Sequence, residues 1–204
     1  MNSAQHPTIG LRRQLLACGV MSCAATAVIL LFRPRPYLPT LLAGFPLGAQ
    51  AAIGFAFAGI YWFASVVGFK FIANRETTRN IAESYSRLEL KGFNPFWVCV
   101  AAGFGEELLF RGALQPLIGV WLASVLFVLL HTQAYRFNKF NKRMFLQAAM
   151  LFAVSVALGF IAMYVGLVAA MLVHAGLDVV GLYSVRRIAG AAAVATQLVN
   201  QADR

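Results

Sequence analysis

The sequence predicts an all-α, polytopic membrane bundle of about six transmembrane helices, each about 17–25 apolar residues long. Three observations carry this. The 204 residues are 60% hydrophobic and only 12% charged, against about 45–50% and about 25% in an ordinary globular chain. Mean hydropathy is +0.73. The apolar residues fall into runs of spanning length, with the basic residues between them. Such a composition excludes a disordered chain, a secreted disulfide scaffold and a nucleic-acid reader. The formal charge of +10 is the mark of cytoplasmic loops in a chain this apolar.

The first span is Leu15–Phe32, bracketed by Arg12-Arg13 and by Arg33-Pro34-Arg35-Pro36. Its Leu15-Leu16-Ala17-Cys18 faintly resembles a lipoprotein cleavage site. The apolar stretch follows that cysteine instead of preceding it, so the segment reads as a retained anchor. The second span, Leu47–Phe69, is rich in Ala, Gly and Phe. The segment Lys70–Lys91 is the one sizeable polar connection. Glu83 and Arg87 stand at the favourable i, i+4 spacing, and Ile81, Tyr85 and Leu88 fall on one side. A short interfacial helix on the cytoplasmic surface is expected there.

Four further spans follow: Pro95–Leu117, Gly119–Tyr135, Met144–Tyr164 and Gly166–Val185. The connections around Pro116 to Gly119 and at Val165-Gly166 are so short that each joins antiparallel neighbours. Fourteen of the 17 basic residues then share one side, Arg33 and Arg35 the other, and Arg111 lies within a span. The positive-inside rule makes the richer side cytoplasmic, with both termini inside. The tail from Ile188 to Val199 continues the last helix or lies at the interface. No internal repeat or low-complexity linker is visible, so residues 1–204 read as a single membrane domain. Cys18, Cys23 and Cys99 match no metal spacing.

Ionisable side chains in a bilayer are expensive and usually functional. Glu106, Glu107, Arg111, His131, His174 and Asp178 lie inside three of the predicted spans. Glu107 and Arg111 are i and i+4 and share a face; Glu106 points about 100° away. His174 and Asp178 repeat the i, i+4 spacing, as do Phe127 and His131. Gly103, Gly105 and Gly112 would let neighbouring backbones approach closely. Counted from the cytoplasmic ends, Glu106 lies roughly 16 Å deep, Asp178 roughly 12 Å and His131 roughly 7 Å. His131 therefore fits this gathering worst.

One carboxylate with nearby histidines suits water activation, with a histidine positioning the water or donating to a tetrahedral oxyanion. The same set could bind zinc through Glu106, His131 and His174. It could relay protons in a carrier, although no repeated half supports that. It could also be interhelical hydrogen-bond glue.

The segment Glu106-Glu107-Leu108-Leu109-Phe110-Arg111 resembles the EExxxR motif of the CPBP family, the CAAX proteases and bacteriocin-processing proteins. Phe127 to His131 resembles its FxxxH motif, and His174 to Asp178 its third, Hxxx followed by Asn or Asp. All three stand in the family's order on separate helices, within a core of approximately residues 95–185. The resemblance implies an intramembrane endopeptidase acting on a membrane-anchored or lipidated protein or peptide, multi-pass in a membrane, with no nucleic-acid partner. It implies that Glu106 activates water, His131 positions it, His174 and Asp178 line the oxyanion side, and Glu107 and Arg111 orient Glu106. No cofactor is required on this reading, with zinc as the alternative mechanism. The nonadjacent histidines resemble no His-Glu-x-x-His zinc helix. An ionised Asp178 cannot donate a hydrogen bond as Asn would. Either it carries a proton or it orients His174, and the second role is preferred. Compact bacterial members point to a bacterial inner membrane. A non-catalytic bacteriocin-immunity or membrane-binding protein retaining the site is the alternative function.

Overall fold

The computed structural model describes residues 10–33, 36–72, 91–131 and 142–202. The chain begins with α1 (Leu11–Phe32), a short α2 (Tyr37–Leu41) and α3 (Leu47–Ile72). Then come α4 (Asn94–Glu107), a π-helical segment (Leu108–Leu114), α5 (Gln115–His131), α6 (Lys142–Tyr164) and α7 (Leu167–Ala202). The described residues contain no strand, only an isolated bridge between Gly44 and Gly166. The surface helix expected after the second span, and the end of the fourth span beyond His131, lie outside the described residues. The tail after Val185 continues α7 as helix.

Among the described residues, five helices are long and apolar enough to cross a membrane, one fewer than the six expected. The difference lies in Asn94–His131, which forms one 38-residue stretch. Gly119 sits inside it at φ 81° and ψ 163°, far from helical values. That region of backbone space is essentially restricted to glycine. The chain reverses there. In a straight helix Glu106 and His131 would stand about 37 Å apart, yet their side chains approach to 3.4 Å. The stretch is thus a hairpin of two arms, with the turn where the sequence places it.

The second reversal, at Val165-Gly166, is held from outside. Phe45 N donates to Val165 O at 2.8 Å. Gln50 of α3 is fully buried. Its Nε2 donates to Phe45 O at 2.8 Å and Ala43 O at 3.3 Å. Its Oε1 accepts from Val168 N at 3.1 Å and Ala169 N at 3.4 Å, which satisfies orphan amides at the start of α7. A side chain at Gly166, whose φ is 142°, would run into the Gln50 amide. One polar side chain thus fixes where α7 begins.

Helix α7 packs against α3 and α4, and α1 against α4 and the π segment. Gly103 makes the α4–α7 contact possible: a Cβ there would lie 2.9 Å from the Ala175 Cβ and the Met171 carbonyl oxygen. Gly105 does the same against α1, at 2.9 Å from the Cys18 carbonyl. Ala25, Ile29, Leu108, Ala113 and Leu167 form one buried cluster, and Leu158, Ala170 and Val173 another. Large apolar side chains such as Phe55, Trp62, Phe63, Leu129 and Leu130 are exposed. This is the pattern of helices that meet lipid, where small residues take the helix–helix contacts. The protein is an integral membrane protein built as a helical bundle.

Candidate active site

The site lies where α4, the π segment, α5 and α7 meet. The π-helical turn widens the backbone over Leu108–Leu114, a device frequent at functional sites. Glu107 at its border and Arg111 within it are both buried. Arg111 Nη1 donates to Glu107 Oε1 at 2.9 Å. Arg111 Nη2 donates to both the carbonyl and the hydroxyl oxygen of Ser155 on α6, each at 2.9 Å. The guanidinium also stands 4.7 Å from the centroid of the Phe127 ring. A charge this deep is tolerable only when so many groups answer it.

Glu107 Oε1 has a second partner. His174 Nδ1 lies 2.7 Å away. A carboxylate only accepts, so Nδ1 carries the hydrogen and Nε2 faces the other way. There it meets Asp178 Oδ2 at 3.5 Å and Glu106 Oε2 at 3.9 Å. On α5, His131 Nδ1 donates to the Phe127 carbonyl at 2.8 Å, and its Nε2 stands 3.4 Å from the same Glu106 oxygen. Phe127 stacks on the His131 ring at 4.2 Å and meets His174 edge-on at 6.0 Å. The aromatic residue of the second motif is therefore a spacer that holds Arg111 and both imidazoles in register.

Glu106, Glu107, Arg111, His131, His174 and Asp178 are thus gathered in one place. Three details differ from the sequence expectation. His131 is not shallow relative to Glu106. Measured from Gly119 instead of from the basic loop, the two lie about 18 and about 20 Å along their arms, so the hairpin brings them level. The close partner of His174 is Glu107 rather than Asp178, whose side chain is 43% exposed. The described hydrogen bonds of Glu107 go to Arg111 and His174, not to Glu106. Ser155 and Gln50 were missed altogether. Each is one of the few hydrogen-bonding residues in an apolar span, which is the available signal.

Glu106 Oε2 is buried and has no hydrogen-bond partner. It faces two imidazole nitrogens, of which His131 Nε2 is an acceptor in a neutral ring with Nδ1 protonated. Two acceptors facing one another call for a hydrogen between them. A glutamate oxygen and two imidazoles are donor types that zinc takes. Among the described residues, however, no group of three or more His, Cys, Asp or Glu side chains is arranged to hold a metal ion.

Residues 91–180 match the family described as type II CAAX prenyl endopeptidase Rce1-like. The match covers 90 of the 204 residues and contains all three motifs, so over this segment the chain is similar to that CAAX-protease family. No curated protein and no solved structure matches the chain. Similarity to that family suggests a peptidase of the CAAX type. The Rce1-like segment holds five of the helical elements that build the site in whole or part, while α1 and α3, which buttress it, lie outside the match. Ser155, the Arg111 anchor, falls inside it.

Proposed function

We propose that the chain is an intramembrane endopeptidase in which Glu106 activates the attacking water. The observation that carries this reading is the orphaned Glu106 Oε2, 3.4 Å from His131 Nε2 and 3.9 Å from His174 Nε2. A water here donates one hydrogen to Glu106 and the other to His131 Nε2. As its oxygen adds to the peptide carbonyl carbon, Glu106 takes the first proton. His174 in its cationic form donates Nδ1–H to Glu107 and Nε2–H to the developing oxyanion. The intermediate collapses when Glu106 passes its proton to the amide nitrogen and the C–N bond breaks, leaving a carboxylic acid and an amine. Glu107, Arg111 and Ser155 keep His174 in place throughout. Asp178 lines the exposed side, where the substrate enters.

The substrate in this proposal is a membrane-anchored or lipidated protein or peptide, in keeping with the prenyl endopeptidase description of the matching family. The distribution of basic residues supports both termini being cytoplasmic, and the compactness of the chain is the ground for proposing a bacterial inner membrane. The test is cleavage of candidate membrane peptides by detergent-purified protein, read by product mass. Glu106→Gln keeps the shape and removes the base, so products should fall by at least the about 10²–10⁴-fold that a general base contributes. Wild-type rates from this variant would remove Glu106 as the base. If no peptide is cut while the protein binds one tightly, the non-catalytic immunity or binding reading takes its place.

A further inference from the structure

At the end of the bundle away from Lys91 and Arg186, a cleft of about 250 Å³ opens between α1, α2, the π segment and α6. Arg33 stands among its lining residues with Thr40, Arg111, Gln115, Met163 and Leu167. Arg33 Nη1 makes one long contact, 3.5 Å, to the carbonyl of Gly112. Arg111 answers to Glu107, but Arg33 has no carboxylate to answer to. The chain has no acidic residue before Glu76 and none between Glu107 and Asp178. Among the described residues, every segment at this end of the bundle is therefore without Asp or Glu. A counter-charge for Arg33 is not supplied by any of them.

The rim says what brings it. Phe32, Leu38, Leu42, Met163 and Tyr164, each a lining residue or close in sequence to one, are exposed apolar or aromatic side chains. The volume lies below the about 300–1,000 Å³ of pockets that engulf a whole small ligand. A small anionic head with an apolar tail left outside fits both facts. Guanidinium pairs with phosphate through two parallel N–H bonds, and phosphate is the anion present at this depth in a bilayer. We propose that the cleft is a phospholipid site, with Arg33 holding the headgroup phosphate and the acyl chains running along α1 and α6. The ligand would sit one residue from Gly112 and directly behind the Arg111–Glu107 pair. The site is thus a structural neighbour of the peptidase centre, though its existence does not depend on that chemistry.

The test is native mass spectrometry of the full chain released from detergent, titrated with phosphatidylglycerol, with diacylglycerol or with inorganic phosphate. One phosphatidylglycerol should be retained, with diacylglycerol bound at least tenfold more weakly. Arg33→Gln should weaken phosphatidylglycerol about tenfold and Arg33→Lys less. Arg13→Gln, the same charge loss at the opposite end of α1, should change nothing. Ala43→Leu, which narrows the cleft without altering charge, should also weaken it, and this variant stands in if Arg33→Gln fails to fold. Equal retention by Arg33→Gln and wild type, or equal losses in Arg13→Gln and Arg33→Gln, overturns the proposal. If inorganic phosphate binds as tightly as the lipid, the tail is unused and the assignment to phospholipid is wrong.

Discussion

Glu107 and His174 are joined by a 2.7 Å hydrogen bond that crosses from α4 to α7 and links residues 67 apart in sequence. The same Glu107 oxygen accepts from Arg111. One buried carboxylate therefore ties the π segment to the imidazole that faces Glu106. The predictions below follow from this coupling.

Breaking the ion pair from one side should cost more than removing it whole. Glu107→Gln leaves the buried Arg111 uncompensated, and Arg111→Met leaves Glu107 so. Each should destabilise by about 3–5 kcal/mol, the usual loss when one partner of a buried pair goes. The double variant should lose clearly less than the two added together. Thermal unfolding in one detergent measures all three, and strict additivity would show that the pair is not coupled.

Ser155→Ala removes one of the two α6 oxygens that hold Arg111 Nη2. A hydrogen bond to a charged group contributes about 1.5–3 kcal/mol. The variant should unfold earlier by an amount in that range. If Ser155 positions the site through Arg111, kcat should fall while KM stays near the wild-type value. A change in KM alone would assign Ser155 to substrate binding instead.

Gly119→Ala places a Cβ in a backbone conformation that costs of order 1–3 kcal/mol. The hairpin must then relax, and with it the register that brings His131 to Glu106. Stability and cleavage should fall together. An intramolecular distance measured between spin labels on α4 and α5 would show the arms shifting. Unchanged distance and unchanged activity would mean that another residue absorbs the turn.

Asp178→Asn should keep activity within about tenfold of wild type, a change of about 1.4 kcal/mol in the barrier. Its carboxylate is partly exposed and 3.5 Å from His174, whereas the close bond to that ring comes from Glu107. Kinetics of the two variants Asp178→Asn and Glu107→Gln side by side decide the matter. If Asp178→Asn proves the more damaging, the orienting role returns to Asp178.

Exhaustive chelation should leave cleavage unaltered, because the proposed mechanism activates the attacking water through Glu106 and His131. Activity lost on chelation and restored by zinc would reassign Glu106, His131 and His174 as ligands.

Much of this was legible in the chain itself. Intramembrane charge is so costly that Glu106, Glu107, Arg111, His131, His174 and Asp178 stood out against the apolar spans. Helical periodicity alone paired Glu107 with Arg111, and a 2.9 Å bond joins them. Depth was harder to read. Counting from the loops put His131 too shallow, because the arm ends at that side are not where the helices are tied together. The level is set at Gly119, and only the turn conformation reveals it.

What the sequence determined by itself is the set of helices and the faces that carry charge. Both follow from local rules: the apolar length needed to cross a bilayer and the 3.6-residue repeat. What only the tertiary structure decided is which group answers which. That Glu107 rather than Asp178 takes His174, that Ser155 and Gln50 secure Arg111 and α7, and that Glu106 Oε2 is left without a partner all depend on contacts between helices. Those contacts are fixed by how closely Gly103 and Gly105 let the backbones approach. No spacing along a single helix encodes such distances.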